Sequence, residues 1–166
     1  MRTAELAALE IRAVASPGER AAICRVVLRA LPAWFGNAEA NRAYARQVRG
    51  LPCFAAFVGG AVVGFLALRL QGEDAAEIHV MGVLPEQQRR GIGRQLVAQC
   101  EQFCLARGIF LLTVKTLADT HPSPSYAKTR AFYASLGFVP QRITDEWGSG
   151  QPCLHMAKAL EGEGIV

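Results

Sequence analysis

Ala76-Glu-Ile-His-Val-Met-Gly-Val-Leu-Pro85, followed directly by Glu86-Gln-Gln-Arg-Arg-Gly-Ile-Gly-Arg-Gln-Leu-Val97, is the stretch that decides the fold of this chain. It reads as a buried strand that passes through a basic, glycine-containing turn into a helix. The first N–H groups of a helix have no intrahelical acceptor, and the helix dipole favours negative charge there. Glycines at 91 and 93 let a ligand come close to the backbone, and arginines at 89, 90 and 94 add positive charge. Such a turn suits a pyrophosphate.

Two common phosphate motifs fail against it. A dinucleotide fingerprint needs a third glycine where Leu96 stands, and a P-loop needs a Gly-Lys-Ser/Thr triplet that Arg89-Arg90-Gly91-Ile92 does not offer. The pattern Gln/Arg-x-x-Gly-x-Gly/Ala does fit, as Gln88-Arg89-Arg90-Gly91-Ile92-Gly93 after a strand ending Val83-Leu84-Pro85. It resembles the acetyl-coenzyme A signature of the GNAT superfamily of N-acetyltransferases.

The chain has 166 residues and is 51% hydrophobic, enough for one domain with a core, here read as residues 1–166. No apolar run approaches the roughly 20 residues of a membrane span, and Met1 to Glu10 lacks the form of a signal peptide. Five scattered cysteines without a Cys-x-x-Cys pair suggest a reduced, cytoplasmic protein. Cys100 and Cys104, four apart on the motif helix, read as small buried hydrophobes. His79, His121 and His155 look isolated, so no metal site is indicated. The net charge of +4 arises in residues 1–50, with eight arginines against four glutamates. A solvated basic face is the plain reading. No Lys/Arg run interleaved with aromatics points to nucleic acid.

Along the chain, Leu9 to Ala15 reads as a strand. Ser16-Pro17-Gly18-Glu19 has the form of a capping box, with Glu19 reaching back. The helix that follows should carry Ile23, Val26, Val27 and Leu31 inward until Pro32 stops it. A second helix is expected from Ala38 to Arg49. Strands at 53–58 and 61–70 are joined by Gly59-Gly60, a two-residue hairpin signal. The motif helix should run from Gly91 to Arg107, with Ile92, Leu96, Cys100, Phe103 and Cys104 as its core stripe. Gly108 ends it, and Ile109 to Val114 reads as a strand buried on both faces. A loop is expected over 116–125, a helix over 125–136, and closing strands over 138–143 and 152–159. The order β-α-α-β-β-β-α-β-α-β-β resembles the GNAT fold, a mixed α/β architecture with a mostly antiparallel sheet flanked by helices.

That resemblance implies a role for particular residues. The cofactor would be acetyl-CoA, used as co-substrate, with the backbone of Met81, Gly82 and Val83 pairing with pantetheine and Gln88, Arg89, Arg90, Gly91, Ile92, Gly93 and Arg94 holding the pyrophosphate. Gly82 sits where a strand bulge would be easy. Tyr126 occupies the place of a cofactor-contacting asparagine. Period-two alternation puts Glu77 and His79 on one face of the strand, and either falls where family members place a general base. Tyr133, in Phe132-Tyr-Ala-Ser-Leu-Gly-Phe138, matches the residue that protonates the leaving thiolate. Trp34, Phe35, Asn41, Tyr44, His121 and Trp147 are candidates for the acceptor side. The expected activity is acetyl transfer to a primary amine of a small molecule or peptide. The alternatives are a non-catalytic acyl-CoA-binding module, or an enzyme acting on a macromolecular acceptor such as a protein terminus, a lysine or aminoacyl-tRNA. Sheet edges in this superfamily often pair across two-fold axes, so a homodimer is the expected assembly if there is one.

Overall fold

The described residues form seven strands and four helices, with side-chain caps from Ser16, Asn37 and Ser123 at the starts of three of the helices. The structure is a computed structural model that describes residues 8–161. The reading of the first ten residues as leader-free falls mostly outside that range, as do both ends of the expected domain. The elements are β1 (Leu9–Ala13), α1 (Pro17–Arg29), α2 (Ala38–Gln47), β2 (Cys53–Val58), β3 (Ala61–Gln71), β4 (Ala75–Val83), α3 (Ile92–Ala106), β5 (Leu111–Leu117), α4 (Pro124–Ser135), β6 (Val139–Thr144) and β7 (Cys153–Ala159). Short 3-10 turns at Val48–Gly50 and Pro85–Gln87 were not expected. The strand order is β1-β2-β3-β4-β5-β7-β6. β4 and β5 pair in parallel, which requires the crossover that α3 supplies, and β1–β2, β2–β3, β5–β7 and β6–β7 are antiparallel. Among the described residues, no helix is long and apolar enough to cross a membrane.

The contacts of the described residues fall into two compact units, residues 8–67 with 80–99, and residues 68–79 with 100–161. In the first, Gly59 (φ 59°) and Gly60 (φ 81°) make the expected β2–β3 hairpin, because both central positions need the left-handed region. Its core joins Val14, Ile23, Cys24, Val27, Leu28, Leu31, Ala45, Val48, Phe65 and Val80. Val26 does not belong to it. That side chain is 52% exposed, because the inward stripe of α1 runs through 23, 24, 27 and 28. Ser16 caps α1 through the Glu19 N–H at 3.2 Å, but the Glu19 carboxylate bonds Arg12 at 2.8 Å instead of reaching back. Arg20, expected on a solvated face, donates to the carbonyls of Val14 and Arg49.

In the second unit, β5 begins two residues later than expected and continues to Leu117, with alternating burial. Phe110 and Leu111 are exposed, so the strand is not covered on both faces at its start. The extra strand length and the early start of α4 at Pro124 shorten the 116–125 loop to residues 118–123. Gly108 (φ 74°) closes α3 as predicted, and the Ile109 N–H returns to the Cys104 carbonyl at 2.9 Å. Cys100 and Cys104 are fully buried, whereas Phe103 is only half-buried and carries the Arg107 guanidinium over its ring. All five cysteines are free thiols.

Candidate functional site

In the first unit, the chain leaves β4 through a turn held by its own side chains. The Leu84 N–H bonds the Val63 carbonyl at 2.8 Å, and the Gln88 amide donates to the Val83 carbonyl at 2.9 Å. Gln88 therefore braces the turn from beneath. Arg89 then adopts φ 63° and Gly91 φ 80°, the former being the one positive-φ non-glycine among the described residues. An arginine in the left-handed region costs on the order of 1 kcal/mol. Reversals of this kind turn successive N–H groups toward an anion. α3 begins at Ile92, whose buried side chain anchors the helix end, and its first N–H groups have no intrahelical acceptor. Arg89, Arg90 and Arg94 are exposed, and a Cβ added at Gly91 would meet nothing within 4 Å. The start of α3 is thus flanked by three exposed arginines and a glycine with open space beside it.

Gly82 also has a packing reason for being glycine. A Cβ there would stand 2.6 Å from Leu31 Cδ1 and 3.0 Å from Val27 Cγ1, so α1 packs directly on the strand backbone. Gly64 on β3 is equally constrained, with its added Cβ 3.0 Å from the Gly82 carbonyl oxygen. The aromatic candidates of this unit are tied to its core. Trp34, Phe35 and Tyr44 are half-buried against the core cluster, and Phe35 meets Tyr44 edge-on at 6.0 Å. Asn41 donates to the Phe35 carbonyl at 2.8 Å, while its Oδ1 is buried without a partner.

In the second unit, Glu77 is buried, although it stands in an otherwise apolar strand. Lys115 Nζ lies 3.5 Å from its Oε2 and the Gln71 amide donates to the same atom at 3.3 Å. The parallel register explains this: Glu77 stands opposite Thr113 on β5, and Lys115 lies two residues further on the same face. Lys115 also pairs with Glu146 at 3.2 Å, whose other oxygen accepts from Thr144 and lies 2.7 Å from His155 Nε2. Burial pulls the Lys115 ammonium down, but its hydrogen bond to Glu146 and the charges of Glu77 and Glu146 outweigh this and leave it raised. His155 is therefore not isolated. Sequence reasoning missed Lys115, Glu146 and Gln71, and the lone lysine in Leu111-Leu-Thr-Val-Lys-Thr-Leu117 was the available signal.

His79 is half-buried, and burial, then the charges of Arg69 and Lys115, push its imidazole down to about 4. It is neutral at neutral pH. Tyr133 is buried between Phe132 and Phe138, with ring centroids 5.3 and 5.5 Å away. Burial, then the neighbouring Tyr126, raises its hydroxyl above the ordinary tyrosine value, so it stays protonated. Tyr126 is half-buried in the first turn of α4, which Ser123 caps. His121 sits in the 118–123 connection, its N–H on the Ala118 carbonyl and its Nδ1 buried without a partner. Trp147 lies exposed in the β6–β7 connection.

The profile of the Acetyltransferase (GNAT) family matches residues 21–138, the span that contains the turn, Glu77 and Tyr133. The chain belongs to the GNAT acetyltransferase family. It is thus an acyltransferase by family, and the fold expected from the resemblance is the one observed. A mycothiol acetyltransferase from Beutenbergia cavernae is 29% identical over 89 residues, which are 54% of this chain and 28% of that protein. The chain therefore spans about a quarter of the length of that relative. Among solved structures, a GNAT-family acetyltransferase from Desulfovibrio desulfuricans superposes with a TM-score of 0.78 at 20% identity, covering 93% of this chain and 100% of that one. The ribosomal-protein-S18-alanine N-acetyltransferase from Escherichia coli gives 0.72 at 19%, over 95% and 97%. An aminoglycoside 6'-N-acetyltransferase complexed with coenzyme A gives 0.72 at 18%, over 93% and 99%. At such identities the likeness concerns the fold.

Proposed function

We propose that this GNAT protein transfers an acetyl group from acetyl-CoA to a primary amine of a small molecule or peptide. The observation that carries the reading is the turn into α3, where Arg89 is held in the left-handed region beside an open Gly91 and two further arginines. Strain of that kind persists where the surroundings over-determine it, and it clusters at ligand sites. When bound, acetyl-CoA supplies an activated thioester carbon. Gln88 holds the turn in shape, and the N–H groups and guanidiniums of residues 88–94 bind the diphosphate.

An ammonium has no lone pair, so the acceptor must lose a proton before it attacks. Glu77 is the preferred base. Gln71 and Lys115 fix its carboxylate on β4. His79, neutral at neutral pH, is the other candidate for accepting the proton, directly or through water. Tyr133 keeps its proton and donates it to the departing thiolate. The acceptor-side candidates are Trp34, Phe35 and Tyr44 in one unit and His121 and Trp147 in the other.

Thiol release from acetyl-CoA across a panel of primary amines tests the reading. Turnover should appear with at least one amine, and Glu77→Gln and Tyr133→Phe should each lower kcat by about 10²–10⁴ while leaving CoA affinity within a few-fold. CoA binding with no thiol release for any amine would favour a binding module. Absence of CoA binding would remove the proposal.

A further inference from the structure

β7 carries Cys153 and His155 at alternate positions, so a strand places both on one face. The β6–β7 connection brings a third donor to them. The Gly148 N–H bonds the Asp145 carbonyl at 2.8 Å, the Gln151 N–H bonds Gly148 at 3.2 Å, and Gly148 and Gly150 take positive φ. The turn so formed directs Glu146 back over the strand. Sγ of Cys153, a ring nitrogen of His155 and a carboxylate oxygen of Glu146 all lie within 4.8 Å of one another. They come from one unit of the chain.

We propose that Glu146, Cys153 and His155 form a zinc site, with three protein donors and a fourth position for water or the Thr144 hydroxyl. The donor set is the reason for choosing this ion. One thiolate, one imidazole and one carboxylate suit a borderline-soft cation, whereas calcium and magnesium require a shell of oxygens. Zinc bond lengths of about 2.0–2.3 Å at tetrahedral angles place neighbouring donors roughly 3.3–3.5 Å apart. His155 Nε2 and Glu146 Oε1, now 2.7 Å apart, need to open by about half an ångström on that basis. The donors, now within 4.8 Å of the buried Cys153 Sγ, have up to about 1.3 Å to close toward it, a movement that falls to the side chains of exposed Glu146 and half-buried His155.

The charges also balance. Cys153 releases its thiol proton to solvent as the Zn–S bond forms, and the thiolate with the Glu146 carboxylate neutralises Zn²⁺. His155 binds through the lone pair of Nε2 and keeps its proton on Nδ1. Lys115 keeps the Oε2 of Glu146, 3.2 Å away, while Oε1 turns to the ion, and its charge is matched by Glu77 at 3.5 Å. The ion thereby communicates with Glu77 through a lysine that the two carboxylates share.

Cobalt(II), a spectroscopic stand-in for zinc, tests the proposal on the full chain, reduced and stripped with chelator. One ion per chain should bind in a tetrahedral site, with a thiolate-to-metal charge-transfer band that stoichiometric zinc removes. Cys153→Ser should abolish the band. Glu146→Gln and His155→Gln, which change less buried side chains and are checked by circular dichroism, should weaken zinc binding by about 100-fold or more. A missing charge-transfer band, a band that survives Cys153→Ser, or unchanged affinity in both surface variants would overturn it.

Discussion

Replacing Gly82 by alanine asks whether this glycine serves cofactor approach or helix packing. The added methyl would stand 2.6 Å from Leu31 Cδ1 and 3.0 Å from Val27 Cγ1, whereas carbons settle at about 3.5–4.0 Å. About 1 Å must be found. Both residues are buried, and the backbone of Leu31 is pinned: its N–H bonds Leu28, and its carbonyl accepts from Trp34 and Phe35. The Leu31 side chain must therefore leave its rotamer or α1 must lift. Overpacking of this size costs about 1–3 kcal/mol. In a chain of this length each kcal/mol lowers Tm by about 2–4 °C, so the expected loss is about 2–12 °C. Four proteins should be unfolded by heat and urea: the parent, Gly82→Ala, Leu31→Ala and the double variant. Leu31→Ala alone should cost about 2–5 kcal/mol, and the double should be better than the sum by at least about 1 kcal/mol, since the truncation makes room for the methyl. Strict additivity, or an unchanged Tm in Gly82→Ala with CoA binding lost, would refute the packing argument and return Gly82 to the cofactor.

Two further outcomes are expected. Arg89→Gly removes both the left-handed strain at φ 63° and one guanidinium. Thermal stability should hold or rise slightly while CoA affinity falls by about 5–30-fold, and a clear drop in Tm would show that the arginine is structural. His79 has its imidazole lowered to about 4 against an ordinary 6.5. Between those values the unfolded chain binds the extra proton, so stability is full above about pH 6.5 and is lost as pH falls toward 4. Urea midpoints at pH 7 and 4.5 should therefore differ less in His79→Gln than in the parent; an equal difference would show that the acid loss comes from elsewhere.

Short-range signals in the sequence were read correctly where a single segment contained them. Gly59-Gly60 specified its turn because both residues need positive φ, and Gly108 stopped α3 for the same reason. The Ser16 cap was legible, but the fate of the Glu19 carboxylate was not, because Arg12 arrives from another element. Val26 and Phe103 were misassigned because an apolar residue beside a helical stripe resembles one within it. The start of β5 was misread because Ile109-Phe-Leu-Leu112 is apolar throughout, and only packing shows that Phe110 and Leu111 face out.

By itself, the sequence determined the strand, the basic turn and the helix that carry the family's cofactor signature, since each depends on neighbours a few residues away. It also put Glu77 and His79 on one face of that strand. What surrounds the Glu77 carboxylate was decided by tertiary structure. Lys115 reaches Glu77 only through the parallel β4–β5 register, and Glu146 and His155 join through the β7 pairing and the turn before it. The close approach of Val27 and Leu31 to Gly82 is likewise a product of packing. Register and helix docking minimise exposed apolar surface over the whole chain, so no local window of residues contains them.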